Sequence, residues 1–178
     1  AKVVAVCLVL WLLPMGILMA YQGWHGTLTQ MSWFFTKAAL LTFGGAYAVL
    51  PYVYDGGVNQ FALLSGAQMM DGLALGETTP GPLIMVVSFV AFLGGWSKQV
   101  LGPDALFLGA ALAATLTTWF TFLPSFMFIL AGGPLVETTH NNLKFTAPLT
   151  SITAAVVGVI ASLALFFITH IALKVDNI

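Results

Sequence analysis

Arginine is absent from these 178 residues, and charge of either sign is scarce. Five lysines and six acidic residues make up 6% of the chain, where a soluble domain carries about 25%. So few charges cannot cover the surface of a soluble protein of this size. The formal net charge of −1 leaves no basic patch for nucleic acid. The one cysteine, Cys7, excludes an internal disulfide and a cysteine-based metal cluster. It reads as a small apolar residue inside a span. His25, His140 and His170 show no metal-ligand spacing, so no metal is assigned. No Gly-x-Ser-x-Gly, phosphate-binding loop or dinucleotide fingerprint occurs. No nucleophile–base pair is visible either. The chain is read as neither an enzyme nor a cofactor protein.

What fills the sequence instead is apolar. Hydrophobic residues make up 60% and the mean hydropathy is +1.00. Barrel strands would alternate apolar and polar residues in segments of about 10. Here the runs are long and rich in Leu, Ala, Val and Phe. The fold class is all-α, a polytopic transmembrane helical bundle with broken or half-length helices. The initial Ala-Lys without Met points to a fragment, a processed chain or one half of something longer.

Residues 3–21 make a first span, with Pro14 its only irregularity, since about 20 residues cross a bilayer. Tyr21, Trp24 and His25 follow as an interfacial belt. Residues 32–54 read as a second span, disturbed by Lys37, by Gly44 and Gly45, and by Pro51. Helical spacing puts Lys37, Leu41, Gly44 and Ala48 on one face. Residues 55–64 read as a connection. Residues 105–131 form another run, holding Thr115, Thr117, Thr118 and Thr121. Gly132-Gly133-Pro134 is expected to stop it. A last run covers 145–173, with Ala154, Gly158 and Ser162 as a small-residue stripe for helix packing. Five lysines are too few to orient the chain by loop charge.

Residues 71–84 organise the rest. Ser65 and Gln68 form a capping box, and a helix of about 66–75 follows. Then comes Glu77-Thr78-Thr79-Pro80-Gly81-Pro82, which no continuous helix accommodates. A second run covers 83–96. Each is about half a bilayer long, so the stretch reads as one broken span or a re-entrant hairpin around Glu77–Pro82. Irregular backbone at depth survives only where protein buries it or it lines a cavity.

A charge at that depth costs about 2.5–3.5 kcal/mol, and burial favours the neutral carboxyl. Glu77 is thus a candidate proton carrier; the alternative is a helix cap in a wetter position. Thr78 or Thr79 at the N-cap, with Pro80 at the first helical position, would open a helix N-terminus fit for an anion. The alternative is a plain cap with a rigid turn. Lys37 would pair with a substrate oxyanion, Glu77 or Asp71, or else would snorkel to the interface. Gly44 and Gly45 would expose backbone to a ligand or let helices pack closely. The threonines of 105–131 would line a polar path, though such residues more often bond their own i−4 carbonyls.

Three stretches resemble the chromate ion transporter family: Phe34–Tyr52, Asp71–Ile84 and Ser151–Ile160, in the right order over about residues 30–170. The Ala46-Tyr47 that follows Phe-Gly-Gly resembles C-terminal halves of long-chain members; N-terminal halves more often show Phe-Gly-Gly-Pro. Long-chain members carry two homologous halves and short-chain members one, so the resemblance implies a partner half or a dimer. It implies export of chromate, a sulfate-like dianion, across the bacterial inner membrane. The resemblance agrees with the two sets of residues read above. Lys37, Gly44, Gly45, Thr78, Thr79 and Gly81 would hold the anion. Glu77 and Asp71 would couple protons. Transporters of this kind often seat anions where broken helices meet at the bilayer midplane. The rival reading is a non-transporting membrane scaffold or regulatory half.

Overall fold

Helix α1, Lys2–Gln22, is apolar on every side, and only Cys7, Met15 and Leu18 are buried. A helix apolar all round belongs in a core or in lipid; this one is mostly uncovered, so lipid is its medium. Pro14 lies inside it without ending it. The computed structural model describes residues 2–41, 49–78 and 82–138, together with ten positions between 151 and 168. The side chains of Glu77, residues 82–84 and residues 134–138 lie outside that description. No strand occurs among the described residues.

The chain turns at Gly23–Gly26 and returns as α2, Thr27–Leu41. The helix starts five residues earlier than the sequence suggests. The Gln22 carboxamide oxygen accepts from the Leu28 N–H at 3.3 Å, meeting one of the free donors of the first turn. The Trp11 indole donates to Thr36 Oγ1 at 3.1 Å, and Trp11 meets Trp33 edge-on at 5.9 Å. These contacts hold α2 antiparallel to α1. Tyr21, Trp24 and His25 are exposed at this turn, as an interfacial belt would be.

The expected single span over 32–54 is not what forms. On one helix Phe34 and Tyr52 would be about 27 Å apart. Their rings stack at 4.6 Å. The chain has folded back, so α2 is followed by an antiparallel return: α3, Leu50–Tyr54, running into a π-helical segment, Asp55–Gln60. The supposed connection at 55–64 is therefore half helical. Phe34 decides the geometry. It is 2% exposed, with Phe35 at 5.1 Å and Phe61 at 5.4 Å, and a Cβ at Gly56 would overlap its ring. Glycine is required there by the close approach. Four aromatics thus meet across α2 and the segment that follows it; residues 42–48, between them, lie outside the described set.

A second hairpin follows. Ser65 caps α4, Gly66–Glu77: its Oγ accepts from Gln68 N at 3.2 Å, and Gln68 Oε1 accepts from Ser65 N at 2.9 Å. After the break comes α5, Pro82–Ser97. Gly72 of α4 faces the Phe89 ring of α5. Ser97 Oγ donates to Leu63 O at 2.9 Å, closing the base. The two half-length helices are thus a hairpin, as one of the two sequence readings has it.

After a 3₁₀ turn at Pro103–Ala105, α6 runs from Leu106 to Thr138. It packs on α1, α2 and α5. A Cβ at Gly95 would strike Ala113, Ala110 and Gly109, so small residues let α5 and α6 touch backbone to backbone. Ser88 and Thr118 share a hydrogen bond at 2.8 Å, and Trp119 Nε1 donates to Leu10 O at 3.2 Å. Gly132-Gly133-Pro134 does not stop the helix, which continues four residues past Pro134. Proline is tolerated inside membrane helices because freed carbonyls find other partners. Lys2–Gln22 and Pro103–Gly133 are long and apolar enough to cross a membrane. The described positions of 151–168 are helical and exposed, and nothing lies within 4 Å of a Cβ placed at Gly158. The Ala154/Gly158/Ser162 stripe is therefore uncovered among the described residues.

Candidate anion site

Both hairpins point their tips the same way. α2 runs toward the Lys2 end of α1, because Thr36 meets Trp11 while the helix began beside Gln22. α5 starts at that end too. Ser88 touches Thr118, the neighbouring Trp119 reaches Leu10, and α5 then runs on to the base at Leu63. Pro82 is six residues before Ser88, so the second tip lies about 9 Å nearer the Lys2 end than the middle of α1. Leu41 is five residues beyond Thr36, about 7 Å in the same direction. Leu41 and Pro82, the described residues that flank the two interruptions, therefore lie at similar levels, toward the Lys2 end of α1; residues 42–48 and 79–81 themselves lie outside the described set.

Glu77 is the last residue of α4. Thr78 is its C-cap, with N–H and Oγ1 both donating to the Leu75 carbonyl, at 3.3 and 2.8 Å. A threonine has one hydroxyl hydrogen. Thr78 therefore spends its donor closing α4 and has none for an anion in this arrangement. The described part of α5 runs from Pro82, and Pro80, expected at the first helical position, lies outside the described residues. The N-terminal dipole of α5, worth roughly half a charge, is aimed at the tip. Gly44, Gly45, Thr79 and Gly81 lie outside the described residues, as does the side chain of Glu77.

Lys37 is placed more deeply than its position in the sequence suggests. Because α2 starts at Thr27, Lys37 is its eleventh residue, about 15 Å from the helix start. Its neighbour Thr36 is bonded to Trp11, the tenth of 21 residues in α1. The side chain is exposed, on the side of α2 turned away from the buried Phe35 and Ala38. It makes no ion pair among the described residues. Asp71 is also exposed, six residues before Glu77. Six residues turn a helix through about 600°, so the two acids do not share a face of α4.

The threonines of α6 divide. Thr115 and Thr121 donate to their own i−4 carbonyls, Ala111 O at 2.8 Å and Thr117 O at 2.7 Å. Thr118 bonds Ser88 on another helix. Thr29, fully buried on α2, keeps an unpartnered hydroxyl. The sequence reading missed Ser88 and Thr29, since neither belongs to a motif. A groove of about 870 Å³ between α1 and α6 is lined by Cys7, Leu10, Trp119 and Phe126 among others. Its lining is almost wholly apolar, so it offers no seat for an anion. Cys7 is buried there, as an apolar residue would be. No group of His, Cys, Asp or Glu able to hold a metal occurs among the described residues.

Comparison with known proteins gives a consistent answer. A family model described as Chromate transporter matches residues 29–176. The chromate transport protein of Pseudomonas aeruginosa is 36% identical over 126 residues, 71% of this chain and 27% of that protein. The chromate transport protein of Cupriavidus metallidurans strain CH34 is 32% identical over 133 residues, 75% of this chain and 30% of that one. The transporter YwrA of Bacillus subtilis is 33% identical over 81 residues, 44% of this chain and 46% of YwrA. This chain thus spans under a third of the first two relatives. No solved structure matches it significantly. The quoted motifs and the helices from α2 onward fall almost wholly within the matched range, and the chain belongs to the chromate transporter family.

Proposed function

We propose that residues 1–178 form a single transmembrane domain, one unit of a secondary transporter. It exports oxyanions, chromate or the similarly shaped sulfate dianion, across the inner membrane, with ion coupling. The observation that carries this reading is that Leu41 and Pro82, which flank the two Gly- and Pro-rich interruptions, lie at similar levels toward the Lys2 end of α1, in a chain of this family. Two interruptions at one depth offer backbone N–H groups and a helix N-terminus to the same anion. Gly44, Gly45, Thr79 and Gly81 form the seat in this reading. Thr78 joins it only if its bond to Leu75 opens. Lys37 supplies the cation. Glu77, at the break itself, carries the coupling proton, and Asp71 lies on the proton's route.

Proteoliposomes holding the chain, alone and with its paired unit where one is needed, would take up labelled chromate along a proton gradient. Glu77→Gln is expected to abolish gradient-driven accumulation while leaving chromate exchange. Lys37→Ala is expected to lower chromate affinity at least tenfold. Unchanged flux in both variants removes these residues from the mechanism. Proton-dependent stability without any flux would make the chain a scaffold.

A further inference from the structure

Pro14 has no N–H, so the Leu10 carbonyl four residues before it loses its helical donor. The Trp119 indole takes that place at 3.2 Å. α1 and α6 are thereby pinned together at Leu10, near the middle of α1. On the Lys2 side of this bond they stand apart, and the groove of about 870 Å³ opens between them. Its whole lining comes from these two helices, at described positions. On α1 the wall runs from Lys2 to Leu10, a rise of about 12 Å. The hydrocarbon of one leaflet is about 15 Å deep, half of a bilayer core. The groove therefore has the depth of one leaflet, with its mouth at the Lys2 end and Trp119 near the bilayer centre.

The wall is alkyl and aromatic. The hydroxyls of Thr115 and Thr118, which line it, are engaged with Ala111 O and Ser88. Among the residues of the lining Lys2 alone is charged, and it stands at the mouth. The described acids Asp55, Asp71 and Asp104 do not reach the lining. We infer that the groove holds one acyl chain of a phospholipid with an anionic headgroup, whose phosphate rests on the Lys2 ammonium. The volume lies within the range of about 300–1,000 Å³ usual for ligand pockets. An acyl chain needs no polar partner, and the groove has none to give. A basic group at the rim of a cleft between membrane helices recognises an anionic headgroup. A zwitterionic lipid brings the same chain and phosphate, but its own cation competes with Lys2. The site is separate from the anion seat at the two interruptions and does not depend on it.

The test places the intact chain in phosphatidylcholine vesicles with a trace of phosphatidylglycerol or phosphatidylcholine that carries a photoreactive diazirine on its acyl chain. Labelled residues are mapped by mass spectrometry. Phosphatidylglycerol is expected to label the wall at Val6 and Phe126 at least fivefold more than phosphatidylcholine does. Phe107 and Leu108, exposed on α6 away from the groove, should be labelled equally by both. Lys2→Met should reduce the phosphatidylglycerol labelling of the wall to the phosphatidylcholine level, and Lys2→Arg should keep it. Lys2 is exposed, so neither exchange disturbs the packing. Val6→Trp should fill the groove and lower labelling of Phe126 by both lipids. An unlabelled wall, equal labelling of it by the two lipids, or a preference that survives Lys2→Met overturns the proposal. A disulfide formed in full between Val6→Cys and Gly158→Cys, in a Cys7→Ser background, would do the same, since the chain's own last apolar run would then occupy the groove.

Discussion

Replacing Gly56 by alanine tests the folded-back arrangement of α2 and α3 directly. The added methyl would overlap the Phe34 ring. That ring has nowhere to go. It is stacked on Tyr52 at 4.6 Å, with Phe35 and Phe61 edge-on at 5.1 and 5.4 Å. Overpacking a filled site costs about 1–3 kcal/mol. Against this, glycine to alanine inside a helix ordinarily gains about 0.5–1 kcal/mol. Gly16 on α1 supplies that baseline, since nothing lies within 4 Å of a Cβ there. The two variants should therefore differ by about 2 kcal/mol or more. The assay is reversible unfolding in mixed micelles titrated with dodecyl sulfate, followed by tryptophan emission. Phe34→Leu frees space at the same point, so the pair Gly56→Ala with Phe34→Leu should recover at least 1 kcal/mol by double-mutant cycle, about the size seen for residues in contact. Equal gains for Gly56→Ala and Gly16→Ala, with no coupling to Phe34, would refute the hairpin and restore a single span through 32–54.

Three further outcomes follow from contacts described above. Ser88→Ala and Thr118→Val should each destabilise the α5–α6 contact by about 0.6 kcal/mol, the average for such bonds in membranes, and the double variant should cost little more than either, by the same titration. Ser65→Ala removes the hydroxyl half of the capping box, leaving the backbone N–H of residue 65 to donate to Gln68 Oε1, and should cost about 1 kcal/mol, with faster amide hydrogen exchange confined to the first turn of α4. Asp55 is fully exposed, and bonds from Asn59 at 2.8 Å and Gln60 at 2.7 Å hold its carboxyl below the usual aspartate range. Its contribution is present above the unfolded-state pKa and is lost as pH falls through the lowered folded value. Asp55→Asn should therefore flatten the acid limb of the stability profile and leave neutral pH nearly unchanged; an unaltered acid limb would contradict those two bonds.

Much of the chain was legible in its residues because its constraints are local. Composition alone gave an all-α membrane bundle. α1 was readable because twenty apolar residues need no partner to be placed in lipid. The capping box at Ser65 and the break after Glu77 were readable because caps and prolines act within four residues. The quoted motifs placed the chain in its family before any coordinate was seen. The errors share one cause. The reversal between α2 and α3 depends on Phe34 meeting Tyr52, Gly56 and Phe61, which are 18 to 27 positions away. A hydropathy reading sees only an unbroken apolar run. Pro134 looked like a stop by the rule for soluble helices, which does not bind inside a membrane.

The site divides in the same way. Sequence by itself determined which groups are available: five lysines, one of them in the second apolar run, six acids, and glycines and prolines where backbone must open. Tertiary structure decided where they go. It turned Leu41 and Pro82 toward the Lys2 end of α1, and it gave the only hydroxyl hydrogen of Thr78 to Leu75. It also lowered Lys37 from near an interface to mid-depth, by starting α2 five residues early on the Gln22 side chain. Depth in a bilayer is measured between helices, not along one. For that reason only the packing of α2 against Trp11 places Lys37 level with the middle of α1.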